Sequence, residues 1–352
     1  MGQFVRQSFR DYGIPLSETV SDVPGPVGTE VLVRVRHCGV CHSDVHLHDG
    51  YFDFGGGKKL NLAGGQPLPF TLGHEIEGEV EAAGPDALEA KAGRRVVVYP
   101  WIGCGQCALC KTGDEHLCAK PRQIGIQRDG GYASHVLVPH PRYLLDYEPI
   151  EPGLAATYMC SGVTAFASVA TLDELPMQAP VLLVGLGGVG LMGLAFLLAK
   201  GAKPPVVADI DEKKRALALE LGAGAAFDPA DPGARKALLS ATGGGVSGAI
   251  DFAGNEASLA FALGALGKGG RVVVAGLMGG ELKIGIPMFP LKGISIIGNY
   301  VGSLSQSQEM LALVRTGKVA PIPIRKRPLS EAQSALDDLR GGRTVGRTVL
   351  VP

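Results

Sequence analysis

The sequence lacks an excess of charge of either sign. Its 33 lysines and arginines are balanced by 34 aspartates and glutamates, which gives a formal net charge of -1 at pH 7. This balance argues against a protein that holds nucleic acid or an anionic membrane surface by charge. We therefore expect neither nucleic acid nor a membrane as a partner, and a small molecule instead.

The first ten residues lack the apolar core of a secretory signal, and position 6 is Arg6 where an N-myristoylation signal needs Ser or Thr. A cytoplasmic location is the resulting expectation. The stretch 181–199 carries no charge and is long enough to cross a membrane. Its five glycines argue against a span, because a strand, a tight turn and a buried helix give the same hydropathy.

A chain of 352 residues exceeds the size at which one core usually keeps growing, which predicts two domains and a cleft between them. Up to about residue 150, short β segments alternate with glycine and proline. From about Leu154, apolar strands alternate with alanine- and leucine-rich helices, the βαβ pattern of a parallel sheet. The predicted fold is α/β, with a β-rich catalytic domain over 1–161, a dinucleotide-binding domain over 162–298, and a return to the first domain over 299–352.

A glycine-rich turn follows the predicted strand Val181–Val184 and precedes the predicted helix from Leu191. Its glycines allow a tight turn, a close approach of the backbone to a pyrophosphate, and close packing of helix on strand. Asp209 lies nineteen residues after the last of them, where a carboxylate binds ribose hydroxyls and repels a 2′-phosphate. We therefore predict NAD as cofactor; the alternative is an unrelated glycine-rich loop with a solvated Asp209. The glycines are Gly185, Gly187, Gly188 and Gly190.

Four of the seven cysteines lie within fifteen residues. The spacing C-x2-C-x2-C-x7-C lets one loop wrap four thiolates around a zinc ion, and clustered cysteines without an export signal favour metal over disulfides. Four protein ligands leave no open position, so this zinc is predicted to be structural. An iron–sulfur cluster is the competing metal site. The cysteines are Cys104, Cys107, Cys110 and Cys118.

Three further segments carry metal-ligand residue types: Cys41 within Gly39–His46, His74 before Glu75, and Cys160 before Ser161. With these segments in this order, the chain resembles a zinc-containing alcohol dehydrogenase of the medium-chain dehydrogenase/reductase superfamily. The resemblance extends from about Val31 to the C-terminus. It implies that the β-rich domain is GroES-like and that the dinucleotide domain has the Rossmann fold.

The resemblance implies a second, catalytic zinc, bound by Cys41, His74 and Cys160 with an open fourth position, and hence two zinc ions per chain. Asp44 would orient the imidazole of His74, and Glu75 is a carboxylate able to approach the metal. Taken singly, each of these residues is as readily explained as an ordinary core or surface residue.

By the same resemblance, Ser43 takes the proton of the alcohol and passes it through a cofactor ribose hydroxyl to His46, whose pKa suits release to solvent. Further positions match family residues that contact the cofactor. For Arg347 and Lys214 a solvated surface charge is the alternative. The matching positions are His42 and Arg347 at the pyrophosphate, Thr164 behind the nicotinamide, and Lys214 near the ribose.

The sequence gives less direct evidence about the substrate than about the cofactor and the metals. Tyr51 and Phe52 lie in a glycine-broken loop between two zinc-ligand motifs, and Trp101 resembles a substrate-wall position, although these aromatics serve equally well as loop packing. The expected activity is reversible, NAD-dependent oxidation of a medium-sized apolar alcohol that is secondary, aromatic or alicyclic. The alternatives are a polyol dehydrogenase and a non-catalytic NAD-binding or redox-sensing protein. A homo-oligomer is expected, with a tetramer favoured over a dimer.

Overall fold

The computed structural model describes residues 3–176 and 178–352. The first two residues of the N-terminal segment considered above therefore lie outside this description. The first part of the chain forms short strands: β1 (Gln3–Phe9), β2 (Ser17–Asp22), β3 (Val31–Gly39), β4 (Tyr51–Asp53), β5 (Lys59–Asn61), β6 (Phe70–Thr71), β7 (Glu75–Ala83), β8 (Arg95–Val98), β9 (His135–Val138) and β10 (Leu144–Leu145). The later strands are β11 (Val181–Val184), β12 (Val206–Ala208), β13 (Ala225–Phe227), β14 (Val246–Asp251), β15 (Leu266–Val274), β16 (Ser295–Gly298), β17 (Ile324–Pro328) and β18 (Arg347–Val351).

The helices frame these strands. They are α1 (His42–Asp49), α2 (Ala108–Lys111), α3 (Pro152–Thr157), α4 (Val163–Ala170), α5 (Gly188–Ala199), α6 (Glu212–Glu220), α7 (Ala234–Ala241), α8 (Glu256–Ala265), α9 (Met288–Lys292), α10 (Leu304–Arg315) and α11 (Ala332–Arg340). A π-helical segment, Tyr158–Gly162, joins α3 to α4. The predicted boundary between residues 161 and 162 falls inside this continuous helical run.

The β-rich domain is built on a seven-stranded sheet in the order β10-β8-β7-β3-β18-β17, with β9 also paired to β3. Strand β18 lies beside β3, with Val349 opposite Gly39, so the end of the chain completes a sheet begun more than three hundred residues earlier. On the other side of β3, Gly39 is opposite Glu75 at the start of β7. The segment that follows β3 and the segment that precedes β7 therefore lie at the same end of these two strands.

The dinucleotide-binding domain is a six-stranded parallel sheet in the order β13-β12-β11-β14-β15-β16. Counted from its first strand this order is 3-2-1-4-5-6, that of the Rossmann fold, in which ligands bind where the strand order reverses. Residues of β11 alternate between two hydrophobic cores, because Val181 and Leu183 pack on one face and Leu182 and Val184 on the other. Burial on both faces explains why the strand is a continuous apolar run. The predicted α/β fold class is confirmed.

The uncharged stretch 181–199 folds as β11, a turn and α5, as the glycines predicted. A different segment, Pro152–Ala170, is the one helical run in the described chain that is long and apolar enough to cross a membrane. Because 94% of its hydropathy window is buried inside the protein, it has the environment of a core helix.

Candidate active site

The glycine-rich turn closes at the C-terminal end of β11. Gly185 has a φ of +87°, a left-handed conformation that favours glycine, and α5 begins three residues later. The carboxylate of Asp209 folds back over the turn, where its two oxygens accept hydrogen bonds from the backbone N–H of Leu186 at 2.6 Å and of Asp211 at 2.8 Å. Asp209 is therefore fixed beside the turn rather than solvated at a strand end.

A cleft of about 230 Å³ runs between the two domains at this turn. Arg347 is only 4% exposed, which excludes the solvated surface charge as an explanation for this residue, and its Nε is buried without a hydrogen-bond partner among the described residues. An unpaired guanidinium nitrogen beside a glycine turn suits an anionic group such as a pyrophosphate. All nine residues predicted to bind the cofactor line the cleft: His42, Thr164, Gly185, Gly187, Gly188, Gly190, Asp209, Lys214 and Arg347.

The three predicted ligands of the catalytic zinc come together at the base of this cleft. One ligand atom from each of Cys41, His74, Cys160 and Glu75 lies within 4.8 Å of the other three, and all four residues are buried. The sulfurs of Cys41 and Cys160 are 3.9 Å apart. A Zn–S bond of about 2.3 Å gives a tetrahedral edge of about 3.8 Å, so the spacing fits one zinc ion between two thiolates.

Each ligand is positioned by a different element. Cys41 is the N-cap of α1, which starts directly after β3, and His74 precedes β7, which pairs with β3. Cys160 lies in the π-helical segment, a rare element that is frequent at functional sites because it redirects one turn of a helix. The hydrogen bond between the two thiols lowers the pKa of Cys41, while that bond and burial raise the pKa of Cys160.

A buried network holds the histidine ligand. The Nδ1 of His74 lies 3.2 Å from Oδ1 of Asp44, but neither ring nitrogen makes a hydrogen bond within the described chain, which leaves the imidazole available to bind a metal. Asp44 also accepts hydrogen bonds from the backbone N–H of Cys41 at 2.9 Å and from the hydroxyl of Tyr132 at 3.0 Å. Tyr132 was missed by sequence reasoning, because it is separated from Asp44 by 88 positions.

Glu75 is held away from solvent by three partners. Its Oε1 accepts hydrogen bonds from the hydroxyl of Ser161 at 2.7 Å and from the backbone N–H of Ser161 at 3.2 Å, and its Oε2 forms an ion pair with Arg347. Burial raises the pKa of Glu75, although the guanidinium of Arg347 opposes this effect. Arg347 thus connects the metal site to the cofactor cleft.

The four clustered cysteines form the second candidate metal centre. Their sulfurs lie 3.5 Å apart for Cys107 and Cys110, 3.8 Å for Cys107 and Cys118, and 3.9 Å for Cys104 and Cys110. These distances match the edges of a tetrahedron around one zinc ion and are too long for disulfides. A cluster of several irons needs more room between its thiolates, so the geometry favours zinc. Hydrogen bonds from the backbone of Gln106 and Cys107 lower the pKa of Cys104 to about 6, and so favour its thiolate form.

The loop of the four cysteines is anchored to the β-rich domain by Glu115. Its carboxylate accepts hydrogen bonds from Arg142 at 2.7 Å, from the hydroxyl of Tyr143 at 2.8 Å, and from the backbone N–H of Gly103 at 3.3 Å. The following residues, Leu117 and Cys118, line the larger of two cavities at the domain cleft. The loop therefore forms part of the cavity wall, and a loop that lost its structure would change the shape of the cavity.

Replacing Cys107 by serine is expected to destabilise the protein without abolishing turnover. Loss of one thiolate removes one of the four metal ligands, and a loss of ~2–4 kcal/mol would lower the melting temperature by roughly 3–5 °C in a protein of this size. Calorimetry would measure the shift, and assays well below the melting temperature would give kcat. An unchanged melting temperature combined with complete loss of turnover would show that the quartet is the catalytic centre.

The larger cavity, of about 790 Å³, adjoins the cofactor cleft through Ser43, Leu277 and Tyr300, which line both. Phe52 lines it and packs on the imidazole of His46, with ring centroids 4.6 Å apart. The prediction for Tyr51 does not agree with the structure. Successive residues of β4 point to opposite sides, and the ring of Tyr51 packs under Lys59 Nζ at 3.5 Å rather than lining either cavity.

Trp101 lines the smaller cleft beside Cys41, Ser43 and Cys160, and not the larger cavity. It is 1% exposed, its indole N–H donates to the carbonyl of Met159 at 2.8 Å, and its ring packs edge-on against His74. Trp101 therefore packs on the candidate zinc ligand His74, whereas Tyr300, packed edge-on against Trp101, lines both the cleft and the larger cavity. Tyr300 lies after the parallel sheet ends, and no sequence signal marked it.

Comparisons with known proteins agree with this geometry. Residues 28–148 match the family model described as "Alcohol dehydrogenase GroES-like domain", and residues 188–316 match "Zinc-binding dehydrogenase". The NAD-dependent alcohol dehydrogenases of Sulfurisphaera tokodaii and Saccharolobus solfataricus are each 36% identical over 346 residues, covering 97% of this chain and 98% of theirs.

Solved structures show the same fold. The alcohol dehydrogenase of Aeropyrum pernix superposes with a TM-score of 0.89 at 29% identity, covering 99% of this chain and 100% of that one. The D-arabinose dehydrogenase from Sulfolobus solfataricus superposes with a TM-score of 0.85 at 25% identity over the whole of both chains. The predicted family is confirmed: the chain belongs to the zinc-containing alcohol dehydrogenases of the medium-chain dehydrogenase/reductase superfamily and is an NAD-dependent enzyme.

Proposed function

We propose that the chain catalyses the reversible oxidation of medium-sized apolar alcohols, secondary, aromatic or alicyclic, to their ketones or aldehydes with NAD. The observation that carries the proposal is the cavity of about 790 Å³ that adjoins Ser43. Its walls include Leu47, Phe52 and Leu62, whose apolar side chains favour a hydrocarbon body over a polyhydroxylated one.

We further propose two zinc ions per chain, one at each cysteine-containing centre. Cys41, His74 and Cys160 would hold the ion that, when bound, acts as a Lewis acid and lowers the pKa of the alcohol hydroxyl. Two thiolates balance the charge of a divalent ion, which suits a buried position at the base of a cleft. The quartet supplies four thiolates and leaves no position for substrate, so its ion would hold the loop in place.

The residues around the cleft have distinct roles in this proposal. Ser43 lines both the cofactor cleft and the substrate cavity, so its hydroxyl can accept the proton of the alcohol and transfer it toward the ribose. His46 lines the cofactor cleft and releases that proton to solvent. Asp44 orients His74, and Arg347 binds the pyrophosphate while it neutralises Glu75. Hydride passes to the nicotinamide, whose chemistry belongs to the cofactor.

The proton path predicts a specific pH dependence. His46 accepts a proton only when neutral, and burial lowers the pKa of His46 below its ordinary value of 6.5. The rate of alcohol oxidation should therefore be constant at neutral pH. It should fall only below pH 6.5, as the imidazole of His46 becomes protonated. His46→Gln removes the titrating group, so kcat at neutral pH should fall about tenfold and the acid limb should disappear. A His46→Gln variant with the wild-type pH profile of kcat would exclude His46 from the path.

A homo-oligomer, with a tetramer favoured over a dimer, is also proposed. In the described chain β16 pairs on one side only, with β15, so it presents an open sheet edge. Ile286 and Leu291, in the segment before β16, are 80% and 76% exposed. Burial of such an edge and such side chains against a second copy is favourable. Light scattering coupled to size exclusion would give the mass, and a monomer would contradict this part of the proposal.

The deciding experiment is a panel of apolar alcohols and polyols, assayed for NADH formation with and without a metal chelator. We expect turnover of the apolar alcohols, loss of turnover on chelation, and two zinc ions per chain by elemental analysis. Preferential turnover of polyols would favour a polyol dehydrogenase, and turnover of sugars would favour the substrate class named for the D-arabinose dehydrogenase among the structural neighbours. No turnover of any alcohol or carbonyl compound by the zinc- and NAD-loaded protein would favour a non-catalytic cofactor-binding role.

A further inference from the structure

The larger cavity is apolar over most of its wall, but one buried amide interrupts it. Gln123 lines this cavity and is only 3% exposed. Its Oε1 accepts a hydrogen bond from the hydroxyl of Tyr300 at 3.4 Å, whereas its side-chain NH₂ has no hydrogen-bond partner among the described residues. The NH₂ lies open on the cavity wall rather than sealed in the core, so water or a ligand in the cavity can accept hydrogen bonds from it.

The backbone around Gln123 fixes the amide in place. Its carbonyl oxygen accepts hydrogen bonds from the backbone N–H of Gln127 at 3.0 Å and of Arg128 at 3.1 Å, and its own N–H donates to Oε1 of Gln127 at 3.0 Å. Gln123 is thus part of a tight turn rather than a mobile loop. A donor held by this turn and by Tyr300 is already positioned for a ligand, which lowers the entropic cost of binding.

Several other polar side chains of the cavity are engaged or exposed, although the Nδ1 of His116 is a second polar atom there without a partner in the described chain. The amide of Gln66 is fully engaged, because it accepts from the hydroxyl of Tyr12 at 2.6 Å and donates to the carbonyl of Ile126 at 3.0 Å. The carboxylates of Asp53, Glu256 and Glu281 line the same cavity but are exposed to solvent. The NH₂ of Gln123, on a residue that is itself almost wholly buried, is therefore a donor on the cavity wall without a partner among the described residues.

Gln123 is also connected to the reaction centre. The ring of Tyr300 packs edge-on against Trp101 at 5.7 Å between centroids, and Trp101 packs edge-on against His74 at 5.4 Å. Two aromatic side chains therefore separate the amide from a zinc ligand. Ser43 lines both the cleft of the candidate zinc ligands and the larger cavity, so a substrate whose hydroxyl lies at Ser43 extends into the cavity that Gln123 lines.

We infer that Gln123 recognises a second oxygen on the substrate, so that the preferred substrates are apolar alcohols carrying a hydrogen-bond acceptor, such as an ether or carbonyl oxygen, away from the reacting carbon. This inference rests on the proposed function and narrows its substrate class. An acceptor replaces any hydrogen bond that Gln123 makes to water, whereas a methylene group at the same position leaves the amide unpaired.

The test compares matched pairs of substrates that differ only by oxygen in place of methylene: 3- and 4-methoxycyclohexanol against 3- and 4-ethylcyclohexanol. For wild type we expect kcat/KM to favour the ether of at least one pair by about fivefold or more, the ratio given by one net hydrogen bond. In Gln123→Met, which keeps the side-chain length but has no donor, this ratio should fall to about one. Gln66→Met is the matched control, because its amide is engaged within the protein, and it should retain the wild-type ratio.

The result that overturns the inference is a wild-type ratio near one or below for every pair, or an unchanged ratio in Gln123→Met. If Gln123→Met does not fold, the wild-type ratios of kcat/KM for the matched pairs test the inference by themselves. If wild type turns over none of these alcohols, the proposed function fails. The role of Gln123 is then judged separately, from the dissociation constants of the matched methoxy- and ethylcyclohexanones in the presence of NADH, measured by fluorescence, where the same ratios are expected.

Discussion

Replacing Cys160 by alanine is expected to lower kcat/KM by about 10³-fold or more while the protein stays folded. The sulfur of Cys160 is one of three proposed ligands of the catalytic ion, and Lewis-acid stabilisation of the developing alkoxide is worth several kcal/mol, with each 1.36 kcal/mol equal to about tenfold in rate. Cys160 lies in a π-helical segment flanked by buried helices, so packing around it holds the local fold. Steady-state kinetics, circular dichroism and elemental analysis together would measure the effect.

Cys38→Ala is the matched control for this substitution. Cys38 is also a buried cysteine, 0% exposed, and lies only three residues before Cys41, yet it belongs to neither group of candidate ligands. Its replacement should lower stability slightly through lost packing and leave the zinc content and kcat as in wild type. If Cys38→Ala abolished turnover as well, or if Cys160→Ala kept two zinc ions and full activity, the assignment of the catalytic ligands would be wrong.

Replacing Gly187 by alanine is expected to raise the KM for NAD about tenfold or more at unchanged melting temperature. Gly187 has φ and ψ of −68° and −171°, which alanine adopts without strain, and a methyl group there meets no atom of the described residues within 4 Å. That open space is part of the cofactor cleft, where the backbone of the second glycine has to approach the pyrophosphate. The added methyl group therefore obstructs the ligand and not the fold. Initial rates at varied NAD concentration and calorimetry would measure the two effects.

Gly190→Ala provides the contrast. Its methyl group would collide with the carbonyl oxygen of Gly185, so the turn between β11 and α5 could not close. This variant should lose stability, whereas Gly187→Ala should lose only cofactor affinity. A Gly187→Ala variant with wild-type affinity for NAD would mean that the pyrophosphate does not lie against this turn.

The sequence alone was sufficient where the chemistry is local. The glycine spacing, the preceding apolar strand and Asp209 predicted the dinucleotide turn, and the structure has β11 over Val181–Val184, the range expected. The spacing of four cysteines within fifteen residues predicted a tetrahedral metal site, and their sulfurs lie at tetrahedral distances. The glycines of the turn and the four cysteines each belong to one short stretch of chain, whose geometry follows largely from its own backbone.

Other features depended on how distant segments pack. The proximity of Cys41 to His74 follows from the pairing of β3 with β7. The orientation of Cys160 follows from a π-helical turn that no sequence pattern predicted. The sequence predicted Tyr51 and Phe52 together as pocket residues, but the alternation of β4 places only Phe52 in the cavity.

What the sequence determined by itself, then, was the family and the cofactor, because these follow from motifs with fixed residue types, spacings and order; it also named the candidate metal ligands. Only the tertiary structure decided that Arg347 is buried against Glu75, that Tyr132 donates to Asp44, and that Trp101 packs on His74 while Tyr300 and Gln123 line the larger cavity. Which side chains line a cavity depends on contacts between strands and helices that are far apart in the chain. A shift of one position along a strand also reverses the side of the sheet on which a side chain lies. The four cysteines, the clearest signal along the chain, therefore say least about the substrate.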